Sequence, residues 1–170
     1  LKVQAGLMRN IIIRTSINGE IMLIVVFGAD DKPSRDLLLN SIKDTFPEIT
    51  SLMYFINTKC NDSLGDLEAV RFSGKDHITE VMGDLKFKVQ AKSFYQTNSW
   101  QAFKLYSVAR DFAGLSGSEV VYDLYTGTGT IAQFVSSKAG KVIDEFKPDI
   151  AIGVGGYASA PLLWKATAKK

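Results

Sequence analysis

A glycine-rich turn in the second half of the chain has residue types and a spacing that could bind a ligand. The apolar run 120–124 contains Asp123 near its end and opens into Thr126-Gly127-Thr128-Gly129-Thr130, with a helical pattern from Ile131 onward. Glycines at alternate positions let the backbone approach a ligand closely, and a helix N-terminus attracts anionic groups. The pattern predicts a nucleotide-type site at the carboxyl end of a strand. A purely structural strand-to-helix turn is the alternative.

A second group of polar and aromatic residues lies upstream, in Ala-Lys-Ser-Phe-Tyr-Gln-Thr-Asn at 91–98. Aromatic rings and amides in one short segment can stack on a nucleobase and hydrogen-bond to its edge. The same residue types also form helix-capping loops whose aromatic rings are buried. The sequence leaves both interpretations open.

The elements that must position these groups fall into two patterns. In the first half, β-rich runs at 9–16 and 20–27 are joined by Asn18-Gly19, a strong hairpin signal. A helix follows from Pro33-Ser34 to about Thr45, with Ser34 as its N-cap and an apolar stripe, and strands are predicted at 52–57, 68–72, 77–82 and 85–89. That stripe comprises Leu37, Leu38, Ile42 and Phe46. These elements predict an α+β module with a mostly antiparallel sheet over residues 1–93.

The second half begins with an amphipathic helix and then alternates strands with helices. The helix is predicted at 98–112, with Ala102, Leu105, Tyr106, Ala109 and Phe112 on its apolar face. Strands at 119–124 and 149–154 flank a helix at 130–137, and another helix follows at 160–169. This alternation predicts βαβ units and a parallel sheet, so the chain as a whole belongs to the α/β class.

Composition narrows the classes of function. The 170 residues are 46% apolar and 22% charged, with a net charge of +2, which is typical of a globular protein. The single cysteine, Cys60, excludes an internal disulfide and a protein-held iron–sulfur cluster, and it indicates a reducing compartment such as the cytoplasm. The single histidine, His77, argues against a metal site. No apolar run is long enough to span a bilayer, and both ends of the chain look cut from something longer.

Four stretches together resemble one enzyme family. The segments 93–98, 101–102, 104–106 and 123–130 are similar, in order and spacing, to motifs of the RNA uracil-5-methyltransferases of the TrmA/RumA family. The resemblance covers about residues 1–143. It implies a Rossmann-like methyltransferase domain, S-adenosyl-L-methionine as cofactor, and a uridine in ribosomal or transfer RNA as substrate.

The resemblance also implies roles for individual residues. Phe94 falls where the family has an aromatic ring facing the flipped uracil. Thr130 stands where the family often has asparagine, so this position keeps a polar side chain that can make a similar contact. The residues expected to bind the cofactor are Gln96, Tyr125, Gly127, Gly129 and Thr130.

The catalytic residues of that family have no counterpart in this sequence. The family's nucleophile is a cysteine in a Ser-Cys-Asn-Pro-like segment, and a glutamate near the C-terminus acts as base. Cys60 lies in Thr-Lys-Cys-Asn-Asp, which lacks that context. We therefore expect a truncated methyltransferase that is inactive alone, and whether the chain is an enzyme stays open.

The last part of the chain resembles a different enzyme. Residues 142–161, which include Gly153-Val154-Gly155-Gly156-Tyr157, are similar to a loop of MurG, the N-acetylglucosaminyltransferase of peptidoglycan synthesis. The predicted organisation is an α+β module (1–93), a partial methyltransferase domain (94–143) and a MurG-like strand-loop-helix segment (144–170). Such a chimera could be natural, engineered or an artefact of cloning or sequence assembly. The alternatives are a non-catalytic binding module that self-associates through an exposed sheet edge, or a MurG fragment.

Overall fold

The computed structural model describes residues 6–116, 119–124 and 126–136, together with the backbone of 150–152. The polypeptide divides into two compact units, one comprising Leu1–Val81 with Lys88–Ser93 and the other Met82–Phe87 with Phe94–Lys170. Strands and helices are both present, which confirms the predicted α/β class. The division at 93 and 143 into three domains stays a prediction.

The first unit is built on a four-stranded sheet in the order β1-β2-β3-β4. Its outer pairs are antiparallel, as the sequence predicts for most of the sheet, and Gly19 turns the β1–β2 hairpin with a φ of 83°. The central pair β2–β3 is parallel, because helix α1 crosses over between these strands. The elements are β1 (Met8–Thr15), β2 (Ile21–Phe27), α1 (Lys32–Thr45), β3 (Ile49–Ile56) and β4 (Val70–Gly74).

Helix α1 begins one turn earlier than its predicted cap. Asp31, not Ser34, is the N-cap, and its carboxylate accepts a hydrogen bond from the Ser34 backbone N–H at 3.3 Å. The prediction of Ser34 was wrong because Pro33 lies inside the first turn, where its missing N–H leaves no helical hydrogen bond unmade. The carboxylate of Asp31 therefore satisfies a donor that the helix itself cannot.

The core between α1 and the sheet contains Val25, Phe27, Leu39 and Leu52, each at most 1% exposed. Leu38 and Ile42 pack against it, as the predicted stripe requires. Leu37 is 75% exposed, so its place on that stripe was wrong. It lies two residues before Leu39, which puts it roughly 200° around the helix from the buried position.

A hairpin completes the first half of the chain. Its strands are β5 (His77–Met82) and β6 (Leu85–Gln90), and Gly83 turns between them with a φ of 60°. Within the first unit, Arg14 of β1 donates to the backbone carbonyls of Gln90 and Ser93, at 3.0 and 2.8 Å. The residues that follow β6 are thereby held to the β1 strand.

The second unit contains the long helix and a short parallel strand pair. Its elements are α2 (Ser99–Ala113), β7 (Val121–Asp123), α3 (Thr130–Ser136) and β8 (Ile150–Ile152). Strands β7 and β8 pair in parallel, as the strand–helix alternation predicts. Helix α2 ends at Gly114, a left-handed cap with a φ of 57°.

The buried face of α2 is narrower than the sequence predicts. Ala102 and Tyr106 are buried beside Phe134 of α3 and the hairpin residues Met82 and Phe87. In contrast, the predicted face residues Leu105 and Phe112 are 61% and 88% exposed, so that part of the prediction was wrong. The described neighbours of α2 cover a stripe centred on positions 102 and 106, one turn apart, and leave the flanking positions open.

Candidate functional site

The glycine-rich turn adopts a conformation that requires its glycines. Gly127 and Gly129 have φ values of 49° and 76°, in the left-handed region that other residues enter at a cost. The Gly129 N–H donates to the Thr126 carbonyl at 2.5 Å, and the Gly129 carbonyl accepts from the Gln133 N–H at 3.0 Å. A methyl group added at Gly129 would lie 2.9 Å from the Gln133 side-chain nitrogen. The turn is therefore closed by its own backbone and directed into helix α3.

Asp123 and Thr130 hold the two sides of this turn. Asp123 is the last residue of β7, and its Oδ2 accepts from the Ala132 N–H at 3.2 Å, in the first turn of α3. Thr130 is 8% exposed, and its Oγ1 lies 2.6 Å from the Oγ1 of Thr128. The carboxylate thus satisfies a helix N–H that has no helical partner and compensates the positive end of the helix dipole.

The segment before α2 combines capping with exposure. Asn98 caps the helix, because its Oδ1 accepts from the Gln101 N–H at 3.0 Å, and the Tyr95 ring lies 6.1 Å from that of Phe87. The Phe94 ring is 68% exposed. Both interpretations left open by the sequence therefore apply in part: the segment caps a helix, and it also presents an aromatic face that a base could stack on.

Gln96 and Asp123 both affect the pKa of Tyr106 on helix α2. Burial raises the pKa of the Tyr106 phenol above its ordinary value of 10.0, a hydrogen bond with the Gln96 side chain lowers it, and the charge of Asp123 raises it. The phenol stays protonated at neutral pH. Sequence reasoning placed Tyr106 on the helix only as an apolar residue, although a tyrosine on a buried face usually finds a polar partner.

A concave surface of about 490 Å³ lies along the segment before α2 and the first three turns of that helix. Its size is within the range of small-molecule sites. Its lining combines polar side chains from the segment before the helix with polar and aliphatic side chains of α2. The lining residues are Gln96, Thr97, Asn98, Gln101, Ala102, Lys104, Leu105 and Val108.

Other residues singled out by the sequence lie elsewhere. Cys60 is exposed in the loop after β3, within the first unit. The His77 Nδ1 is 2.7 Å from an Asp76 carboxylate oxygen. Among the described residues, no group of three His, Cys, Asp or Glu side chains could hold a metal. Tyr125 lies outside the described residues, as do 137–149 and 153–170, so most of the predicted MurG-like segment is not described.

The predicted roles of the site residues stay predictions, although their places are now known. Gln96, Gly127, Gly129 and Thr130 belong to one compact unit. Phe94 belongs to it as well and precedes Gln96 by two residues. None of the helices in the described part of the chain has the length and apolar character needed to cross a membrane.

The chain is similar to several curated bacterial proteins. It is 57% identical over 150 residues to an uncharacterized RNA methyltransferase of Porphyromonas gingivalis, covering 88% of this chain and 32% of the relative. A namesake from Bacteroides thetaiotaomicron is also 57% identical, over 153 residues and 34% of its length. One from Clostridium acetobutylicum is 38% identical over 138 residues, or 81% of this chain and 30% of that protein. The chain spans about a third of the length of these relatives.

A solved structure supports the same relationship. The tRNA (uracil-54, C5)-methyltransferase of Pyrococcus abyssi, crystallised with S-adenosyl-L-homocysteine, matches with a TM-score of 0.63 and 27% sequence identity. The match covers 81% of this chain and 32% of that enzyme. No family model matches the chain. Nothing in these comparisons bears on the predicted MurG-like segment. The chain is thus similar, over four-fifths of its length or more, to RNA methyltransferases.

Proposed function

We propose that the chain carries the cofactor-binding part of an S-adenosyl-L-methionine-dependent RNA (uracil-5-)-methyltransferase. The observation that carries the proposal is the match to the Pyrococcus abyssi enzyme, whose structure holds the demethylated cofactor. Both predicted cofactor segments, the one around Gln96 and the glycine turn, lie in the same compact unit. The relatives named RNA methyltransferases point to the same class of substrate.

The residues of the turn fit a cofactor with a polar and partly anionic end. Gly127 and Gly129 adopt positive φ values and carry no side chain, so the backbone of the turn can approach a ligand closely at both positions. The Gln96 side-chain amide offers two N–H donors and one acceptor oxygen for such a ligand. Gln96, Gly127, Gly129 and Thr130 would hold the cofactor, together with Tyr125.

When bound, the cofactor supplies an electrophilic methyl group. The exposed ring of Phe94, two residues from Gln96, would stack on the target uracil after that base leaves the RNA stack. Ribosomal and transfer RNA are both candidate substrates. The single-cysteine composition favours the reducing environment of the cytoplasm as the place of action.

We further propose that these 170 residues transfer no methyl group by themselves. Methylation of uracil C5 in this family needs a thiolate to add at C6 and a base to remove the C5 proton. The one cysteine, Cys60, lies exposed in a loop of the first unit, apart in the sequence from both cofactor segments. The reactive groups of a complete enzyme would have to come from other residues.

A calorimetric titration tests the proposal. S-Adenosyl-L-methionine and S-adenosyl-L-homocysteine should each bind the chain with one-to-one stoichiometry, while UDP-N-acetylglucosamine should release no binding heat. Heat with the sugar nucleotide alone would favour the MurG-fragment alternative. In a parallel assay with tritiated cofactor, a uridine-containing RNA should acquire no label, and measurable turnover would disprove the inactivity.

A non-catalytic, self-associating module is the second candidate. Among the described residues that follow α2, β7 and β8 form a two-stranded sheet and pair in parallel. Parallel sheets are normally wider and covered on both faces, and an open edge invites pairing with another chain. This candidate predicts a concentration-dependent mass in light scattering. A monodisperse monomer at all concentrations would count against it.

A further inference from the structure

One face of helix α2 presents a stripe of apolar side chains to solvent. Leu105, Val108 and Phe112 recur at intervals of three and four residues, which places them on the same face of the helix. They are 61%, 51% and 88% exposed. A different side of α2 packs into the core of the unit. A contiguous exposed apolar stripe of this kind marks a surface that associates with another polypeptide.

The concave surface along α2 includes part of this stripe. Four of its lining residues have the spacing i, i+3, i+4 and i+7, namely Gln101, Lys104, Leu105 and Val108. Side chains with this spacing surround a hole of the kind that receives one apolar side chain of a facing helix. Phe112 lies farther along the same stripe and is not part of that lining. The face therefore carries both a hole and a large side chain that can enter such a hole.

Two side chains of opposite charge border the stripe. Lys104 directly precedes Leu105 and Asp111 directly precedes Phe112, so both lie on the same border of the stripe, and both are exposed. Among the described residues, neither has an ion-pair partner. In an antiparallel pair of identical helices, Lys104 of one copy faces Asp111 of the other, and the two-fold symmetry repeats the contact. A parallel pair would place like charges at the same height. The charge pattern is therefore complementary to itself in the antiparallel arrangement.

We propose that this face of α2 docks onto the same face of a second copy of the chain, with the two helices antiparallel. Phe112 of each copy enters the hole beside Leu105 and Val108 of the other, and two Lys104–Asp111 ion pairs flank the apolar centre. The inference does not rest on the proposed function. It also differs from association through a sheet edge, because side chains of a helix and not backbone groups of a strand make the contact. A contact of about three helical turns is smaller than the interface of a permanent dimer, so the two copies exchange readily.

Sedimentation equilibrium of the full chain without cofactor tests the proposal through the two charges. Lys104→Asp replaces two attractive contacts of the dimer by two repulsive ones and should weaken dimerisation roughly fivefold or more, and Asp111→Lys should do the same. The double variant Lys104→Asp/Asp111→Lys should dimerise to within about twofold of the unsubstituted chain, because opposite charges meet again. An equal mixture of the two single variants should form mixed dimers for the same reason.

Lys43→Asp is the matched control, since Lys43 is exposed on α1 of the first unit and the change in net charge is the same. It should leave dimerisation unchanged, whereas Phe112→Ala should weaken it by roughly tenfold. Circular dichroism should show the same helix content in all variants, because each position is exposed.

Two results would overturn the proposal. A chain that stays monomeric up to millimolar concentration would show that a second copy is not what covers this face of α2, and would favour a different polypeptide. Dimers that persist equally in Lys104→Asp, Asp111→Lys and Lys43→Asp would place the contact on another surface, such as the open edge of the β7–β8 pair.

Discussion

The interior of the first unit and that of the second are built differently. In the first, four apolar side chains from α1, β2 and β3 are each at most 1% exposed to solvent. In the second, the buried cluster includes the hydroxyl-bearing Tyr106, and α2 leaves large apolar side chains in solvent. Those at least half exposed are Trp100, Leu105, Val108 and Phe112. The first unit also buries polar side chains around its apolar core, namely those of Ser16, Arg35, Ser51, Asn57 and Glu80. The second unit combines a smaller described core with the residues of the proposed site.

The two units also differ in how an aspartate carboxylate accepts a hydrogen bond from the start of a helix. Asp31 caps α1 locally, from three residues before the N–H that it accepts. Asp123 reaches the Ala132 N–H across the whole glycine turn, nine residues along the chain. The first arrangement stabilises a helix alone. The second ties a helix to a strand end and fixes the turn between them.

The largest effect expected is on the core of the first unit. Leu39→Ala should lower the free energy of unfolding by about 2–5 kcal/mol, because it leaves a cavity in a fully buried cluster. Leu37→Ala, on the same helix but 75% exposed, should change it by less than about 0.5 kcal/mol. Urea unfolding followed by circular dichroism measures both. Equal effects of the two substitutions would contradict the assignment of the buried face.

The next largest effect is on cofactor binding, and two glycine variants separate the cost of backbone strain from a change in the shape of the turn. Gly129→Ala forces a methyl group to within 2.9 Å of Gln133 and into a left-handed conformation, so it should weaken binding of S-adenosyl-L-homocysteine by roughly tenfold or more, equivalent to about 1.4 kcal/mol. Gly114 also has a left-handed φ, of 57°, but no atom lies within 4 Å of the carbon that Gly114→Ala would add.

Gly114→Ala therefore serves as the control for strain alone. It should lower stability by about 1 kcal/mol, a typical penalty for the left-handed region, and leave cofactor affinity unchanged in calorimetry. Equal losses of affinity in both glycine variants would show that general destabilisation, and not the shape of the turn, controls binding.

A smaller effect compares the two aspartates. Asp31→Ala and Asp123→Ala should each lower the free energy of unfolding by about 1 kcal/mol, because each leaves a helix N–H without its acceptor. Only Asp123→Ala should also weaken cofactor binding. Thermal unfolding with and without S-adenosyl-L-homocysteine distinguishes them: the ligand-induced rise in Tm should be kept in the first variant and reduced in the second.

The smallest effect expected is a pH dependence in the first unit. The hydrogen bond from Lys75, followed by that from the Thr79 backbone, lowers the pKa of Glu20 below its ordinary value of 4.5. The ionised form is therefore favoured by folding, and its contribution is complete above pH 4.5 and lost as the pH falls through the lowered pKa. Glu20→Gln should reduce the acid sensitivity of unfolding in that window by less than about 1 kcal/mol. If the pH dependence of unfolding is the same in Glu20→Gln and the unsubstituted chain, the hydrogen bonds of Glu20 contribute nothing to stability.

The sequence predicts local elements well where one signal dominates. Asn18-Gly19 identified a hairpin, and the amphipathic helix near 98–112 was found with its Asn98 start and its end close to Gly114. The sequence did not predict the parallel β2–β3 pair, because strand direction depends on how α1 crosses over and not on the composition of either strand. It also misplaced Leu37, since the leucine run 37–39 fits more than one helical stripe.

The sequence predicted only part of the candidate site. The glycine turn and the segment around Gln96 were recognised by residue type and spacing. The packing of Tyr106 against Phe134 was not, because it depends on how α2 lies against α3, between residues far apart in the chain. A tyrosine on an apolar helix face was the available signal. It could not specify which residues the ring would pack against.

The most direct test of the account is a map of where the methyl donor binds. Nitrogen-15 NMR spectra of the full chain, recorded as S-adenosyl-L-methionine is added, should show saturable shifts at Gly127, Gly129 and the Gln96 side-chain amide. The core amides of the first unit, such as those of Val25 and Leu52, should stay in place. Absence of any shift at millimolar cofactor, or shifts confined to the first unit, would contradict the assignment of these segments to a cofactor site.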